Sequence, residues 1–87
     1  MRIDVTREPG SARLLLEGRL DREWSEQLAY TLENLLQAGV RSVILDFSGV
    51  TYVSSAAVRV MTRWQQELAM LRGHVQVTSV PQALRET

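Results

Sequence analysis

The 87-residue sequence predicts a single small α/β domain in which helices pack on a mixed sheet of about four strands. Two observations predict this fold class. Short runs of alternating or continuous apolar residues take turns with longer segments in which apolar residues recur every three to four positions. Gly and Pro separate these segments. The resulting order is β-β-α-β-α-β-α, and strand–helix–strand units of this kind give parallel strands, so the first strand alone is expected to be antiparallel.

The first two predicted strands form a hairpin. Residues 2–7, RIDVTR, alternate apolar and polar side chains as a half-buried strand does. Residues 9–11, PGS, have the composition of a turn. Residues 12–17, ARLLLE, then supply a second strand, which is expected to pair with the first in antiparallel fashion.

The first helix is predicted from a cap at Asp21 to about Ala38. The Asp21 carboxylate can accept a hydrogen bond from a free N–H group of the first turn. Gly39 stands where a helix commonly ends in a left-handed residue. Apolar residues at helical spacing are expected to form the inward face: Trp24, Leu28, Leu32, Leu35 and Leu36.

The remaining segments predict a central strand and a second helix. Residues 42–47, SVILDF, are almost continuously apolar, which is typical of a strand at the centre of a sheet. A connection, residues 48–53, leads to a helix that begins near Ser54 or Ser55 and ends at Gly73. Its apolar positions keep helical period: Ala57, Val60, Met61, Trp64, Leu68 and Leu71.

Two further elements close the predicted order. Residues 74–79, HVQVTS, alternate as a fourth strand. Pro81 then begins a short helix, residues 81–87, because proline is favoured at the first helical position.

The composition excludes several classes of function. The formal net charge is zero, and the ten basic residues, all Arg, are scattered along the chain. A nucleic-acid-binding protein usually has a basic stripe with excess positive charge, so we expect no such partner. No run of apolar residues approaches the ~20 needed for a membrane span, and there is no Cys. We therefore expect a cytoplasmic protein that neither inserts into a membrane nor carries disulfides.

The residues that could carry catalysis are few, so we expect no enzyme, metal or cofactor. His74 stands alone in a strand, and we expect it at the surface. Asp46 is expected at the end of a strand, accepting N–H bonds from the following loop. A phosphate-accepting Asp would need a pair of acids early in the chain and a Lys; Asp4 and Asp21 do not form such a pair, and the chain has no Lys. A small hydrolase using Ser55 stays an alternative, although no base or oxyanion site is evident.

The two serines before the second helix allow two interpretations. Ser54 is a plausible N-cap, worth about 1 kcal/mol relative to Ala. Ser55 is a plausible first-turn residue, and helix N-termini accommodate phosphate because of their free N–H groups and partial positive charge. A phosphate on Ser55 would add about −1.5 to −2 charge and change the surface that a partner meets.

Two motifs resemble the STAS family, named for sulfate transporters and anti-sigma factor antagonists. Residues 43–58, VILDFSGVTYVSSAAV, are similar to the family's apolar strand followed by S-G-V-T-F-I-D-S-S-G-L. Residues 17–21, EGRLD, are similar to the E-G-x-L-D signature before the first helix. The resemblance covers nearly the whole chain. It implies one STAS-like domain over residues 1–87, shorter at the C-terminus than typical members.

The resemblance also implies a function and a site. In the antagonist branch, a kinase that is also the anti-sigma factor phosphorylates a serine, and Ser55 aligns with that serine. The resemblance implies that this partner binds through a surface formed by Asp21, Ser54, Ser55, Ala56, Ala57 and Arg59. Ser54 replaces the family's Asp and Ala57 replaces its Gly. These departures leave an alternative open, a constitutive STAS subunit of a complex such as a transporter with an ATPase subunit.

Overall fold

A computed structural model of the chain describes residues 1–82, which form four strands and two helices. The elements are β1 (Arg2–Glu8), β2 (Ser11–Leu20), α1 (Arg22–Gln37), β3 (Ser42–Val53), α2 (Ser55–Met70) and β4 (His74–Thr78). This order confirms the predicted small α/β domain. The predicted final helix, residues 81–87, lies mainly outside the described residues.

The four strands form one mixed sheet in the order β1-β2-β3-β4. Strand β1 pairs with β2 in antiparallel fashion, as the hairpin turn predicts. Strands β2, β3 and β4 are parallel to one another. The carboxyl ends of β2 and β3 therefore meet at the same edge of the sheet, which is also the edge from which both helices start.

Both helices cover one face of this sheet and enclose a single core. Alternate side chains of the central strands point into it, including Leu14, Leu16, Leu45 and Phe47. At about 25 cal/mol per Å² of apolar surface, burial of this kind is the main term that stabilises so small a domain. The opposite face of the sheet is covered by no described element. Its strand residues are exposed or half-buried.

Strands β2 and β3 are longer than the sequence pattern predicts. The segment 48–53, predicted as a connection, is strand and pairs with the end of β2 as far as Leu20↔Val53. The register shifts twice along this pairing, and Gly18 adopts a φ of 106°. Such bulges interrupt the alternation of apolar and polar residues, which is why the sequence pattern does not reveal the strand. As a result, β3 leads to α2 without a loop.

Each helix ends in a Schellman motif, but the two use different residues. After α1, Gly39 adopts the left-handed conformation with a φ of 95°, as predicted. After α2, Arg72 adopts it with a φ of 62°. Gly73 follows and donates its N–H to the Leu68 carbonyl at 2.7 Å. A Cβ atom on Gly73 would clash with the backbone of Arg41. Glycine is thus required here by close packing and not by a left-handed turn.

Most of the predicted inward faces are confirmed. In α1, Leu28, Leu32 and Leu35 are buried, and in α2 Trp64 and Leu68 are buried. The prediction for Leu71 was wrong, because the helix ends at Met70 and Leu71 is the exposed C-cap residue.

Candidate protein-interaction site at the start of helix α2

Two helix N-termini lie side by side at the carboxyl edge of the parallel strands. Strand β2 ends at Leu20 and strand β3 at Val53, and these two residues are paired. The Ser54 N–H donates to the Leu20 carbonyl at 2.9 Å, which ties the start of α2 to the end of β2. Asp21 follows Leu20 directly. The structure therefore brings Asp21 and Ser54 together, although they are 33 positions apart in the sequence.

Both of these residues cap a helix, as predicted. The Trp24 N–H donates to Asp21 Oδ1 at 3.0 Å. The Ala57 N–H donates to Ser54 Oγ at 3.1 Å, and the extended backbone of Ser54 (φ −80°, ψ 161°) is the usual conformation of a cap. The Ser54 hydroxyl therefore accepts the hydrogen bond that caps α2, and the Ser55 hydroxyl is not needed for capping.

The other predicted site residues differ in their exposure. Ser55 is the first residue of α2, and its side chain is exposed to solvent. Ala56 is half-buried, and Arg59, one turn further along, is exposed. Ala57 is completely buried, with an exposed fraction of 0%. Its side chain therefore packs in the core and offers no surface to a partner.

Three exposed residues near the start of α2 escaped the sequence reasoning. Val58 is 50% exposed and Tyr52 is 40% exposed. The guanidinium of Arg19 lies over the Tyr52 ring, 4.3 Å from its centroid, because Arg19 and Tyr52 are cross-strand partners at the ends of β2 and β3. All three residues lie within the two motifs, but the pairing of Arg19 with Tyr52 follows register shifts that no local pattern reveals.

The first turn of α2 carries no acidic residue. No carboxylate of that turn therefore offsets the partial positive charge of the helix N-terminus. The first turn of α1, by contrast, contains Glu23. An anionic group would be better accommodated at the start of α2 than at the start of α1.

Asp46 and His74 have structural contacts away from this site. Asp46 lies within β3 and not at its end, so that part of the prediction was wrong. Its Oδ1 does accept the predicted N–H bond, from Ser48 at 2.9 Å. The hydrogen bonds from Ser48 lower the pKa of the Asp46 carboxyl. His74 is exposed, as predicted, and its Nε2 lies 3.0 Å from Ser42 Oγ.

The geometry does not support the hydrolase alternative. His74 begins β4 and pairs with Ser42 at the start of β3, whereas Ser55 follows the other end of that strand. Ser55, His74 and Asp46 therefore do not converge. Within residues 1–82, no three His, Asp or Glu side chains are grouped to hold a metal ion. None of the described helices has the length and apolar character to cross a membrane.

Solved structures with the same fold include anti-sigma factor antagonists. The antagonist SpoIIAA in its unphosphorylated form matches with a TM-score of 0.85 at 18% identity, covering 98% of this chain and 79% of that one. Phosphorylated SpoIIAA, a Bacillus cell fate determinant, matches with a TM-score of 0.84 at 18% identity, over 98% and 78% of the two chains. An anti-sigma factor antagonist from Mycobacterium paratuberculosis matches with a TM-score of 0.82 at 15% identity, covering 98% of this chain and 72% of that one.

The family comparison extends over almost the whole chain. No curated protein matches it significantly. The family model described as "Mlab, STAS domain" matches residues 3–87, a span that includes β1 from its second residue, the other three strands and both helices. The chain therefore belongs to the STAS domain family.

Proposed function

We propose that this protein is a non-enzymatic, cytoplasmic regulatory module that binds a kinase-type anti-sigma factor or a related regulatory protein. The contact surface is the start of α2 with the neighbouring Asp21, and phosphorylation of Ser55 weakens the binding. One observation carries the proposal. Ser54 provides the helix cap, so the adjacent Ser55 hydroxyl is exposed and is not needed to hold the fold.

The position of Ser55 suits a phosphate that changes a surface without unfolding the domain. A phosphate there would meet the positive end of the helix dipole, and no acidic residue in the first turn would repel it. It would add about −1.5 to −2 charge and three acceptor oxygens to an exposed surface. The domain stays folded, whereas a partner that docks on this surface meets a new charge and a larger group.

The likeness to SpoIIAA supports the proposal. SpoIIAA is an anti-sigma factor antagonist, and its unphosphorylated and phosphorylated forms both have the fold seen here. A phosphate is therefore compatible with this type of domain.

The test begins with the kinase reaction. The protein is incubated with ATP and the candidate kinase, and the phosphate is mapped by mass spectrometry. We expect one modified residue, Ser55, and no phosphate on the Ser55→Ala variant. Ser54→Ala tests whether the neighbouring hydroxyl is modified instead. Phosphate only at another residue would contradict the assignment.

The second step measures partner binding by calorimetry. Ser55→Asp should weaken binding, because it places a negative charge where the phosphate would stand. Thr6→Asp is the matched control, since Thr6 is exposed on the edge strand β1, away from α2. A smaller effect of the control is expected. Absence of phosphate at Ser55 together with unchanged binding of Ser55→Asp would overturn the switch.

A constitutive subunit of a transporter or other complex is the second candidate. The observation that favours it is the use of Ser54 as a cap where the family's antagonists have an Asp. No carboxylate from this position then stands beside Ser55 to orient a partner. Affinity purification from native cells distinguishes the two candidates. A transporter ATPase subunit that binds wild-type protein and Ser55→Asp equally supports the second, and a histidine-kinase-like ATPase that discriminates between them supports the first.

A further inference from the structure

Helix α2 has a continuous exposed face that includes Ser55. Its members lie at spacings of three, four, seven, eight and eleven residues from Ser55, so they share one side of the helix. All of them are exposed. We call this face the Ser55 stripe, and it consists of Ser55, Val58, Arg59, Thr62, Arg63 and Gln66.

The charge of the Ser55 stripe has one sign. It contains two Arg residues, and residues 55–66 include no Asp or Glu. Within the described residues, the ion pairs all involve Arg2, on strand β1, so neither Arg59 nor Arg63 is paired with a carboxylate. The Arg63 guanidinium lies 5.8 Å from the centroid of the Trp64 ring. Both cations are therefore available to an external acidic group.

The stripe also has an apolar contact point. Val58 is 50% exposed and lies between Ser55 and Thr62 on this face. An exposed aliphatic side chain flanked by cations matches the edge of an amphipathic helix whose own apolar residues are flanked by carboxylates. Arg59 and Arg63 are four residues apart, which is also the spacing of neighbouring side chains along such a helix.

We propose that the Ser55 stripe is the docking surface for an acidic amphipathic helix of a partner protein. This inference rests on the proposed function in placing Ser55 within the contact surface, and it adds the chemistry of the partner. Carboxylates of the partner helix pair with Arg59 and Arg63, and an apolar side chain packs on Val58. Charge complementarity of this kind mainly determines which partner is accepted and how fast it associates.

The same geometry indicates how a phosphate on Ser55 would prevent docking. Arg59 is four residues from Ser55, within reach of a phosphate on the same face of the helix. The two guanidinium groups of the stripe contribute a charge of about +2, and a phosphate of about −1.5 to −2 would cancel it. Phosphorylation would thus occupy Arg59 internally and leave no net positive charge for the partner's carboxylates.

The test uses a synthetic probe and needs no identified partner. The probe is a Leu/Glu amphipathic peptide longer than about 15 residues, so that it can be helical. A second peptide has Lys in place of every Glu. Each is titrated into the full 87-residue chain, and the backbone amide signals are followed by NMR. We expect the Leu/Glu peptide to shift signals of the Ser55 stripe, with an affinity that falls as salt is added.

Variants separate charge from other contributions. The double change Arg59→Glu and Arg63→Glu should lower the affinity for the Leu/Glu peptide about tenfold, as expected for two exposed ion pairs. Arg7→Glu is the matched control, because Arg7 is exposed on the edge strand β1, and it should leave the affinity unchanged. The amide spectrum of each variant shows whether the fold is kept. If the double change to Glu unfolds the domain, the double change of Arg59 and Arg63 to Gln is used in its place.

Each other outcome overturns the inference. Equal binding of the Lys peptide would mean that charge does not select the partner. Shifts on α1 or on the open face of the sheet would place docking elsewhere. Without peptide, signals of the Ser55 stripe that shift with protein concentration would indicate that a second copy of the chain binds there. Helix α1 of that copy could supply the carboxylates, since it carries Glu23, Glu26 and Glu33.

The role of phosphate is tested with phosphoserine built in at position 55 during synthesis. This route does not depend on a kinase, so a failure of kinase recognition and a failure of docking are distinguishable. The modified protein should bind the Leu/Glu peptide about tenfold more weakly than the unmodified protein. Unchanged affinity would refute the cancellation of charge. In ³¹P NMR, Arg59→Gln should raise the phosphate's second pKa, which is ordinarily about 6, if Arg59 pairs with it.

Discussion

Removing the Ser54 hydroxyl should destabilise the domain through the N-cap of α2. The Ala57 N–H donates to Ser54 Oγ at 3.1 Å, and Ala57 is 0% exposed. Water therefore has little access to this N–H when the hydroxyl is removed. Loss of a cap costs about 0.5–2 kcal/mol, and a buried donor without a partner favours the upper part of that range. We expect Ser54→Ala to lower the free energy of unfolding by about 2 kcal/mol.

The assay is urea unfolding followed by circular dichroism, with thermal unfolding beside it. A loss of about 2 kcal/mol corresponds to a fall in Tm of roughly 10 °C for a domain of this size. The matched control is Ser55→Ala at the adjacent position, where the side chain is exposed and does not cap the helix. That change should stay within about 0.5 kcal/mol.

Ser54→Asp completes the series. An Asp at the cap accepts the same N–H bond and adds about 0.3–1 kcal/mol by interaction with the helix dipole. It should therefore be at least as stable as the parent. The reasoning is refuted if Ser54→Ala and Ser55→Ala have equal stability, or if Ser54→Asp is as unstable as Ser54→Ala. Either result would mean that the cap bond does not hold the start of α2.

Three further predictions concern Ser55, Asp46 and Gly73. Ser55→Asp should raise the free energy of unfolding by about 0.3–1 kcal/mol in low-salt urea titrations, because the carboxylate interacts with the helix dipole, and high salt should remove this effect. A loss of stability would count against tolerance of a phosphate at this position. Hydrogen bonds from Ser48 lower the pKa of Asp46 in the folded state. The ionised carboxylate therefore stabilises the fold at pH values above its ordinary pKa of about 4, and this contribution is lost as the pH falls through the lowered pKa of the folded state. Asp46→Ala should accordingly be less stable than the parent at pH 7, with the difference shrinking in acid; a difference that is the same at pH 2 and pH 7 would refute the assignment. Gly73→Ala should cost about 1–3 kcal/mol in thermal unfolding, because its Cβ would clash with the backbone of Arg41, and a change under 0.5 kcal/mol would show that the contact relaxes freely.

Local chemistry was sufficient to predict the helices and their caps. Asp21 and Ser54 were predicted as caps from residue type and position, and both accept the expected N–H bonds. The hairpin of β1 and β2 followed in the same way from Pro9 and Gly10. These features depend on residues close together in the sequence, where turn and capping preferences act directly.

Features that depend on distant residues were not predictable in this way. The extension of β3 to Val53 needs the bulged pairing with β2, and no local pattern encodes a register shift. The close approach of Gly73 to Arg41 joins two loops about 30 positions apart, so the glycine was interpreted as a helix stop. The exposure of Val58 and the stacking of Arg19 on Tyr52 likewise follow from tertiary structure. The sequence indicated the candidate site, but not which of its neighbouring residues are exposed.

The direct passage from strand β3 into helix α2 has a thermodynamic meaning for recognition. Val53 is held in the sheet, and the next residue, Ser54, already caps the helix and bonds to Leu20. A contact surface built on such a junction is preorganised, so association loses little free energy to ordering of the backbone. Binding should then resemble the docking of a rigid body, with a heat-capacity change set by the apolar area buried at the contact and no added contribution from coupled folding.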